Sequence, residues 1–149
     1  MSSLIGENKL EQMTRYLEKF QKFENITYEE FEAGMNFSVE RLLELLVINA
    51  SDILLNLFAR LKEDMPTTLK TTFLRAGELK ILPEDLAQRL SDAAGMRNLL
   101  VHAYAKVDLK KIYDSIKPAL RDFSQFAEVM SGKINLIRPQ ILDDPPLEE

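Results

Sequence analysis

The stretch NFSVERLLELLVINASDILLNLFARLK, residues 36–62, decides the fold of this chain. Its apolar residues recur every three or four positions, which is the pattern of an amphipathic α-helix that packs against a core. The pattern predicts a long helix that begins near Asn36 or Ser38 and ends at about Lys62. Asp52 interrupts the apolar stretch, and we predict that it forms a structural salt bridge with a Lys or Arg of a neighbouring helix. The apolar face consists of Val39, Leu42, Leu43, Leu46, Ala50, Ile53, Leu54, Leu57 and Phe58.

The segment before residue 36 predicts one helix and then a short second one. Apolar residues repeat with helical spacing over residues 10–23. Thr27 and Glu30 have the spacing of a capping box, which starts a helix, and Gly34 is of a type that ends one. We therefore predict a short helix over residues 28–33.

The segment after residue 62 predicts two shorter helices. Pro66 precedes the first, Gly77 follows it, and Pro83 begins the second. From Gly95 to about Tyr104 the chain either continues this second helix or begins a new one.

The C-terminal part predicts a last helix and a tail. Asp108 is a suitable N-cap for a helix over residues 109–131, and Gly132 should end that helix. Pro118 should kink the helix or split it in two. Residues 133–149 contain three of the six prolines and an acidic end, so we predict an extended tail there.

The chain shows no window in which polar and apolar residues alternate as in a half-buried strand. We therefore predict an all-α domain of about five to six helices over residues 1–132. The absence of cysteine excludes disulfides and thiolate chemistry. The chain has no signal-peptide pattern and no run of about 18 apolar residues, so we expect a cytoplasmic protein that does not span a membrane.

The charge distribution separates one window from the rest of the chain. A net charge of −5 argues against a protein that coats nucleic acid non-specifically. Residues 97–111, however, carry a local charge of +3 with the histidine counted as neutral. The charged residues of this basic window are Arg97, Lys106, Lys110 and Lys111 against Asp108.

The basic window contains RNLLVHAY, residues 97–104, with the only histidine of the chain. In a continuous helix Arg97 lies two turns before Tyr104, and Asn98 lies one turn before His102. Together they offer a cation for phosphate, a group that titrates near neutral pH and a ring on which a base can stack. A lone His or Tyr in a helical protein is more often a partly buried core residue. The residues alone therefore leave a core role and a functional site open.

The string RNLLVHAY resembles the R-N-x-x-x-H-x-Y form of the R-x(4–6)-H signature of HEPN domains. It is most similar to the form found in HepT-type toxins, which pair with minimal nucleotidyltransferase antitoxins. The resemblance covers most of residues 4–131 and extends to the strings ERLLELLVINASDILLNL, LPEDLAQRLSDAAGMRN and VDLKKIYDSI.

The resemblance implies a homodimeric all-α HEPN bundle that cleaves RNA, with transfer RNA among the candidate substrates, and needs neither a metal nor a cofactor. Arg97 and His102 would be the catalytic residues, one holding the scissile phosphate and the other acting as general acid or base. Asn98 would orient the phosphate or the imidazole. Tyr104 would contact RNA and would receive AMP from the partner enzyme. Lys106, from the basic window, completes the predicted substrate-binding residues.

The resemblance also implies a biological role as the toxin of a type VII-like toxin–antitoxin pair. One His per chain is too few for a cleavage that uses both an acid and a base, so we expect a twofold dimer that brings two motifs to one cleft. The alternative is a non-catalytic HEPN module that binds a nucleotide or a protein as an accessory to a nucleotidyltransferase. The intact Arg97, His102 and Tyr104 favour the toxin.

Overall fold

The computed structural model describes the backbone of residues 2–102 and 108–143, and the side chains of residues 8–96 and 108–133. All regular structure in these residues is helical, which confirms the predicted all-α class. The core is rich in fully buried phenylalanines, among them Phe20, Phe58 and Phe123. The helices are α1 Ser2–Gln21, α2 Tyr28–Glu30, α3 Asn36–Arg60, α4 Leu69–Glu78, α5 Glu84–His102, α6 Leu109–Asp114 and α7 Ile116–Asp143.

The predicted capping box starts α2. The Thr27 hydroxyl accepts a hydrogen bond from the Glu30 backbone N–H at 3.1 Å, and a Glu30 carboxylate oxygen accepts one from the Thr27 N–H at 2.9 Å. A short π-helical turn, Phe31–Met35, then leads into α3. Gly34 interrupts the helical backbone with φ 148°, a value that a residue with a Cβ rarely adopts. The short helix and its stop are therefore confirmed.

The long helix α3 is the centre of the bundle and contacts α1, α4, α5 and α7. The segment Tyr28–Arg60 is long and apolar enough to cross a membrane, with a mean hydropathy of 1.7 in its most apolar window. Of that window 61% is buried inside the fold, and a core helix of a soluble protein meets the same criteria. Lys9 Nζ lies 3.4 Å from the Asp52 carboxylate, so the predicted salt bridge of α3 is confirmed.

The helices α1 and α3 run antiparallel. The Asn49 side-chain amide donates a 2.7 Å hydrogen bond to the Lys9 carbonyl, which joins the start of α1 to the second half of α3. At the other end, Lys22 near the end of α1 lines a groove with Phe37 at the start of α3.

The helices α5 and α7 are antiparallel as well. Arg89 in the first half of α5 hydrogen-bonds Asp122, whereas Met96, further along α5, lines a cavity with Ser115 and Pro118. Leu43, in the first half of α3, lines the same cavity. The starts of α3 and α7 therefore lie at the same end of the bundle as the ends of α1 and α5, and we call it the motif end.

Gly77 was expected to end a helix, and this expectation is wrong because α4 continues through it to Glu78. A Cβ built on Gly77 would lie 2.8 Å from the Cβ of Ala87, which is closer than two carbon atoms can pack. The glycine therefore permits the close approach of α4 and α5. The chain leaves α4 through Lys80, which has a φ of 62°.

We predict that Gly77→Ala destabilises the protein by up to about 2 kcal/mol. The gain in helix propensity is about 1 kcal/mol, and the overpacking against Ala87 costs about 1–3 kcal/mol. Gly132→Ala in α7 is the matched control, because no atom of the described residues lies within 4 Å of the added Cβ. Chemical denaturation should show the control to be as stable as the parent or more so. A Gly77→Ala protein that is stabilised equally would contradict the tight contact.

Pro118 splits the last predicted helix in two, as expected. A proline ring clashes with the carbonyl of the residue four positions earlier, which here is Asp114, and α6 ends there. The chain turns at Ser115, whose hydroxyl donates a 2.6 Å hydrogen bond to the Ile112 carbonyl. Pro118 then lies in the first turn of α7, where its missing N–H is not needed.

The expected end of this helix at Gly132 is wrong, because α7 runs on to Asp143. A glycine costs a helix only about 1 kcal/mol, and apolar residues at 134, 137 and 141 keep the helical spacing beyond it. Residues 133–143 are therefore helical and not extended. The rest of the predicted tail, residues 144–149, lies outside the described residues.

Candidate functional site

The predicted site residues fall at the C-terminal end of α5. Arg97, Asn98 and His102 belong to its backbone, and His102 is its final residue. Their side chains lie outside the described part of the structure. Tyr104 and Lys106 lie outside it altogether, in the segment between α5 and α6.

The helical backbone fixes how the motif positions relate to one another. Arg97 and His102 are five residues apart, which corresponds to about 140° around the helix axis. Asn98 and His102 are four residues apart and share a face. A single helix therefore does not present positions 97 and 102 side by side, and a ligand that meets both must lie across the end of the helix or between two helices.

An apolar cavity of about 350 Å³ adjoins the motif. Ala93 and Met96 line it from α5, and position 97 is the next residue along the chain and one turn beyond Ala93. Leu43 of α3 and Ala119 of α7 line the facing walls. The cavity therefore extends along the bundle from the base of the motif.

The rim of this cavity carries charges of both signs. Lys111 of the basic window, Asp92 and Asp114 border it, and Asp122 lies at its inner edge. The Asp114 carboxylate accepts a 3.1 Å hydrogen bond from Lys110, which leaves Lys111 as the cation on this rim that has no ion-pair partner among the described side chains.

A buried carboxylate ties α5 to α7 just below the cavity. The side chain of Asp122 is 7% exposed and accepts hydrogen bonds from Arg89 Nε at 2.9 Å and Arg121 Nε at 2.8 Å. Arg89 also donates to Asp85 at 2.9 Å and to Gln125 at 3.0 Å. We call these five residues the α5–α7 clamp.

Hydrogen bonds to Asp85 first, and then to Asp122, raise the pKa of Arg89 above its ordinary value. The hydrogen bond to Asp122 does the same for the pKa of Arg121, and the hydrogen bond from Arg89 lowers the pKa of Asp85. Asp85, Arg89 and Arg121 therefore remain charged at neutral pH. The clamp fixes the helix that carries the motif two turns before position 97.

We predict that Asp122→Asn lowers the free energy of unfolding by about 2 kcal/mol, because two guanidinium groups lose a buried partner. This loss is smaller than for a fully buried ion pair, because the Arg89 side chain is 32% exposed and can be hydrated. For a chain of this size the melting temperature should fall by about 6 °C. The control is Asp114→Asn, at an exposed pair, which should shift melting by no more than a degree or two. Equal melting of the two variants would contradict a structural role for the clamp.

The start of α6, on the far side of the undescribed segment, is tightly held. Asp108 is its N-cap, as predicted, and accepts a 3.2 Å hydrogen bond from the Lys111 N–H. The Tyr113 hydroxyl donates a 2.8 Å hydrogen bond to the Ile26 carbonyl. Lys110 Nζ lies over the rings of Tyr113 and Tyr28, at 5.1 and 5.5 Å from their centroids. Lys110 and Lys111 of the basic window are therefore held at the motif end by a helix with several fixed contacts.

The sequence analysis missed the α5–α7 clamp, although a signal for it was present. Asp122 follows Ala119 by three residues and precedes Phe126 by four, and both of these neighbours are buried. A carboxylate on such a stripe requires a buried cation. Which cation approaches depends on the antiparallel placement of α5, and that is a property of the fold.

In the described residues no group of three or more His, Asp or Glu side chains could hold a metal ion. The glutamates at positions 29, 30 and 32 are exposed, as expected for a solvated face.

A family model described as Ribonuclease HepT-like matches residues 13–130 of this chain. A curated relative from Aphanizomenon flos-aquae (strain 2012/KM1/D3), named tRNA nuclease HepT, is 33% identical over 131 residues, which are 87% of this chain and 89% of that protein. A second relative, the mRNA nuclease HepT of Shewanella oneidensis, is 25% identical over 69 residues, 46% of this chain and 52% of that one.

Solved structures share the fold of this chain. A tri-AMPylated HEPN toxin from Shewanella oneidensis in complex with an MNT antitoxin superposes with a TM-score of 0.78 and 22% identity, over 86% of this chain and 97% of that one. A variant of an MntA–HpeT toxin–antitoxin complex gives a TM-score of 0.76 and 21% identity, over 86% of this chain and 98% of its own.

Proposed function

This chain belongs to the Ribonuclease HepT-like family, and on that basis we propose that it is the ribonuclease toxin of a toxin–antitoxin pair, cutting RNA with Arg97 and His102. The observation that carries the proposal is the complete motif RNLLVHAY, whose first six residues form the end of α5. A basic window and an apolar cavity adjoin that motif. The HepT relative with 33% identity is named a tRNA nuclease, which makes transfer RNA our first candidate substrate.

The chemistry needs a phosphate-binding cation and a proton carrier. The guanidinium of Arg97 matches two oxygens of the scissile phosphate and neutralises the charge that develops there. An imidazole changes its charge near neutral pH, so His102 can remove the proton of the ribose 2′-hydroxyl or protonate the leaving oxygen. Asn98 orients the phosphate or the imidazole, and Tyr104 and Lys106 hold the RNA. Neither role calls for a metal ion.

A homodimer supplies the second proton carrier. Positions 97 and 102 lie about 140° apart on one helix, so two copies that face each other across a twofold axis can surround a phosphate better than one copy can. The local charge of +3 in the basic window then doubles in the shared cleft. This explains how a protein with net charge −5 attracts RNA.

A minimal nucleotidyltransferase is the proposed antitoxin, and it transfers AMP to Tyr104. The related HEPN toxin in complex with an MNT antitoxin carries three AMP groups, which supports adenylylation as the means of control. We place the toxin in the cytoplasm, where transfer RNA, messenger RNA and ATP are available.

Controlled expression in a bacterial host tests this function. Expression of the chain alone should arrest growth, and co-expression of the neighbouring nucleotidyltransferase should restore it. RNA from arrested cells should show cleavage products with a defined end, and purified protein should form the same end in the presence of EDTA. If the purified chain binds RNA without cutting it and expression is harmless, the non-catalytic accessory module is the correct function.

A further inference from the structure

A second recess on the motif end is separate from the cavity beside position 97. It has a volume of about 530 Å³ and lies between the end of α1 and the start of α3. Lys19, Lys22 and Phe23 line it from the α1 side, and Phe37 and Arg41 from α3. We call it the α1–α3 groove, and none of its lining residues lines the first cavity.

The charge of the α1–α3 groove is positive. Its lining includes three cations and no carboxylate, although the whole chain is acidic. Lys19 and Lys22 are exposed and have no ion pair with any of the described side chains. Arg41 pairs with Glu44 at 2.8 Å, but its side chain is 65% exposed and its guanidinium can bind a second anion.

A largely exposed aromatic ring lines the groove together with these cations. Phe37 is 73% exposed, more than any other large apolar side chain that the structure describes, and Phe23 is partly buried against the core. An isolated exposed apolar residue is ordinary on a protein surface. A largely exposed ring in one groove with three cations is a combination that suits single-stranded nucleic acid, since phosphates can meet the charges and a base can stack on the ring.

We propose that the α1–α3 groove is an auxiliary binding surface for single-stranded RNA, which holds a part of the substrate away from the cleavage site. The proposal rests on the proposed ribonuclease function. Gln21 at the end of α1 lines a surface pocket with Lys117 at the start of α7, so this groove and the motif lie at the same end of the bundle and one RNA strand can reach both. A duplex hides the faces of its bases and does not offer them to Phe37.

Binding is measured with the full-length His102→Ala protein, in which cleavage should be too slow to consume the probe. The probe is a fluorescein-labelled 12-nucleotide uridine RNA, and its anisotropy is followed at several salt concentrations. Phe37→Leu should weaken binding about tenfold, and Phe37→Tyr should retain it, because stacking on one ring contributes about 1–3 kcal/mol. Lys19→Gln combined with Lys22→Gln should reduce the slope of log K against log salt by about 1.4, the loss of two phosphate contacts.

The matched control is Lys62→Gln combined with Lys70→Gln, which removes the same charge from exposed positions outside the groove. Unchanged affinity in the groove variants, or an equal loss in the control, would overturn the proposal. So would groove variants that keep RNA affinity and instead lose the homodimer or the nucleotidyltransferase, because the groove would then be a protein interface.

The catalytically intact protein separates this proposal from the proposed function. With His102 present, the groove variants should need about tenfold more RNA for half-maximal cleavage and should reach the same maximal rate. If the parent chain cuts no RNA while the groove variants still weaken binding, the groove proposal stands and the ribonuclease function fails. If the parent cleaves RNA and the groove variants bind it with unchanged affinity, the ribonuclease function stands and the groove proposal fails.

Discussion

Replacing His102 with Ala is expected to reduce the rate of RNA cleavage at saturating enzyme by about 10³-fold, and Arg97→Ala should do the same. A positioned acid or base contributes about 10²–10⁴-fold to a rate, and the loss of a charge that stabilises the transition state has an effect of similar size. Single-turnover cleavage of a defined transfer RNA measures both. The growth arrest caused by expression should disappear with either change.

Two observations test the assigned role of His102 against a loss of structure. The melting temperature of the variant should stay within a few degrees of the parent, since α5 is held by the α5–α7 clamp two turns before the motif. In the parent the cleavage rate should change with pH around neutrality, because an imidazole gains or loses its proton in that range. Undiminished cleavage by His102→Ala would contradict the acid–base role. An unfolded variant would indicate instead that His102 is a structural residue of the core.

The Tyr104→Phe protein is expected to keep its fold and to escape the antitoxin completely. An AMP attached to the phenol would bring a phosphodiester close to Arg97, where it would occupy the place of the substrate phosphate, and its adenine would fill the cleft. Parent protein co-expressed with the nucleotidyltransferase should gain one or more groups of about 329 Da in intact mass. The Phe variant should gain none and should remain toxic beside the antitoxin.

Tyr28→Phe is the matched control, because this tyrosine also lies at the motif end, beside Lys110 and Tyr113. It should be modified and neutralised like the parent. If the parent shows no gain in mass, or if Tyr104→Phe is still adenylylated, Tyr104 is not the regulated residue. If Tyr104→Phe is unmodified but also inactive, the hydroxyl takes part in cleavage as well.

Local sequence rules predicted the fold well where they act through neighbouring residues. The capping box at Thr27, the break at Gly34 and the split caused by Pro118 all depend on atoms within four residues, and all were found. Two glycines were wrongly expected to end helices. Gly77 is required by the close packing of α5 against α4, which is a tertiary contact, and at Gly132 the apolar spacing of the following residues outweighs the low helix propensity of glycine.

The family and its ribonuclease class were predictable because the motif is a contiguous string, and the comparisons confirm both. The surroundings of the motif were not. The cavity beside Met96 and the pairing of Arg89 with Asp122 join residues that are more than 30 positions apart. Residue spacing along one helix does not predict such contacts. It does not establish the roles of Arg97 and His102 either, and these remain predictions.

The packing of α1 against α7 has a consequence for synthesis of the protein. Met13 and Phe20 of α1 are fully buried, and the helix that covers this side of the bundle begins only at Ile116. Because synthesis proceeds from the N-terminus, α1 is made before α7 is available to cover it. The bundle therefore cannot close before α7 has been synthesised. A chain that stops before Ile116 would leave the apolar side chains of α1 uncovered, and we expect such a fragment to be degraded and to have no toxicity.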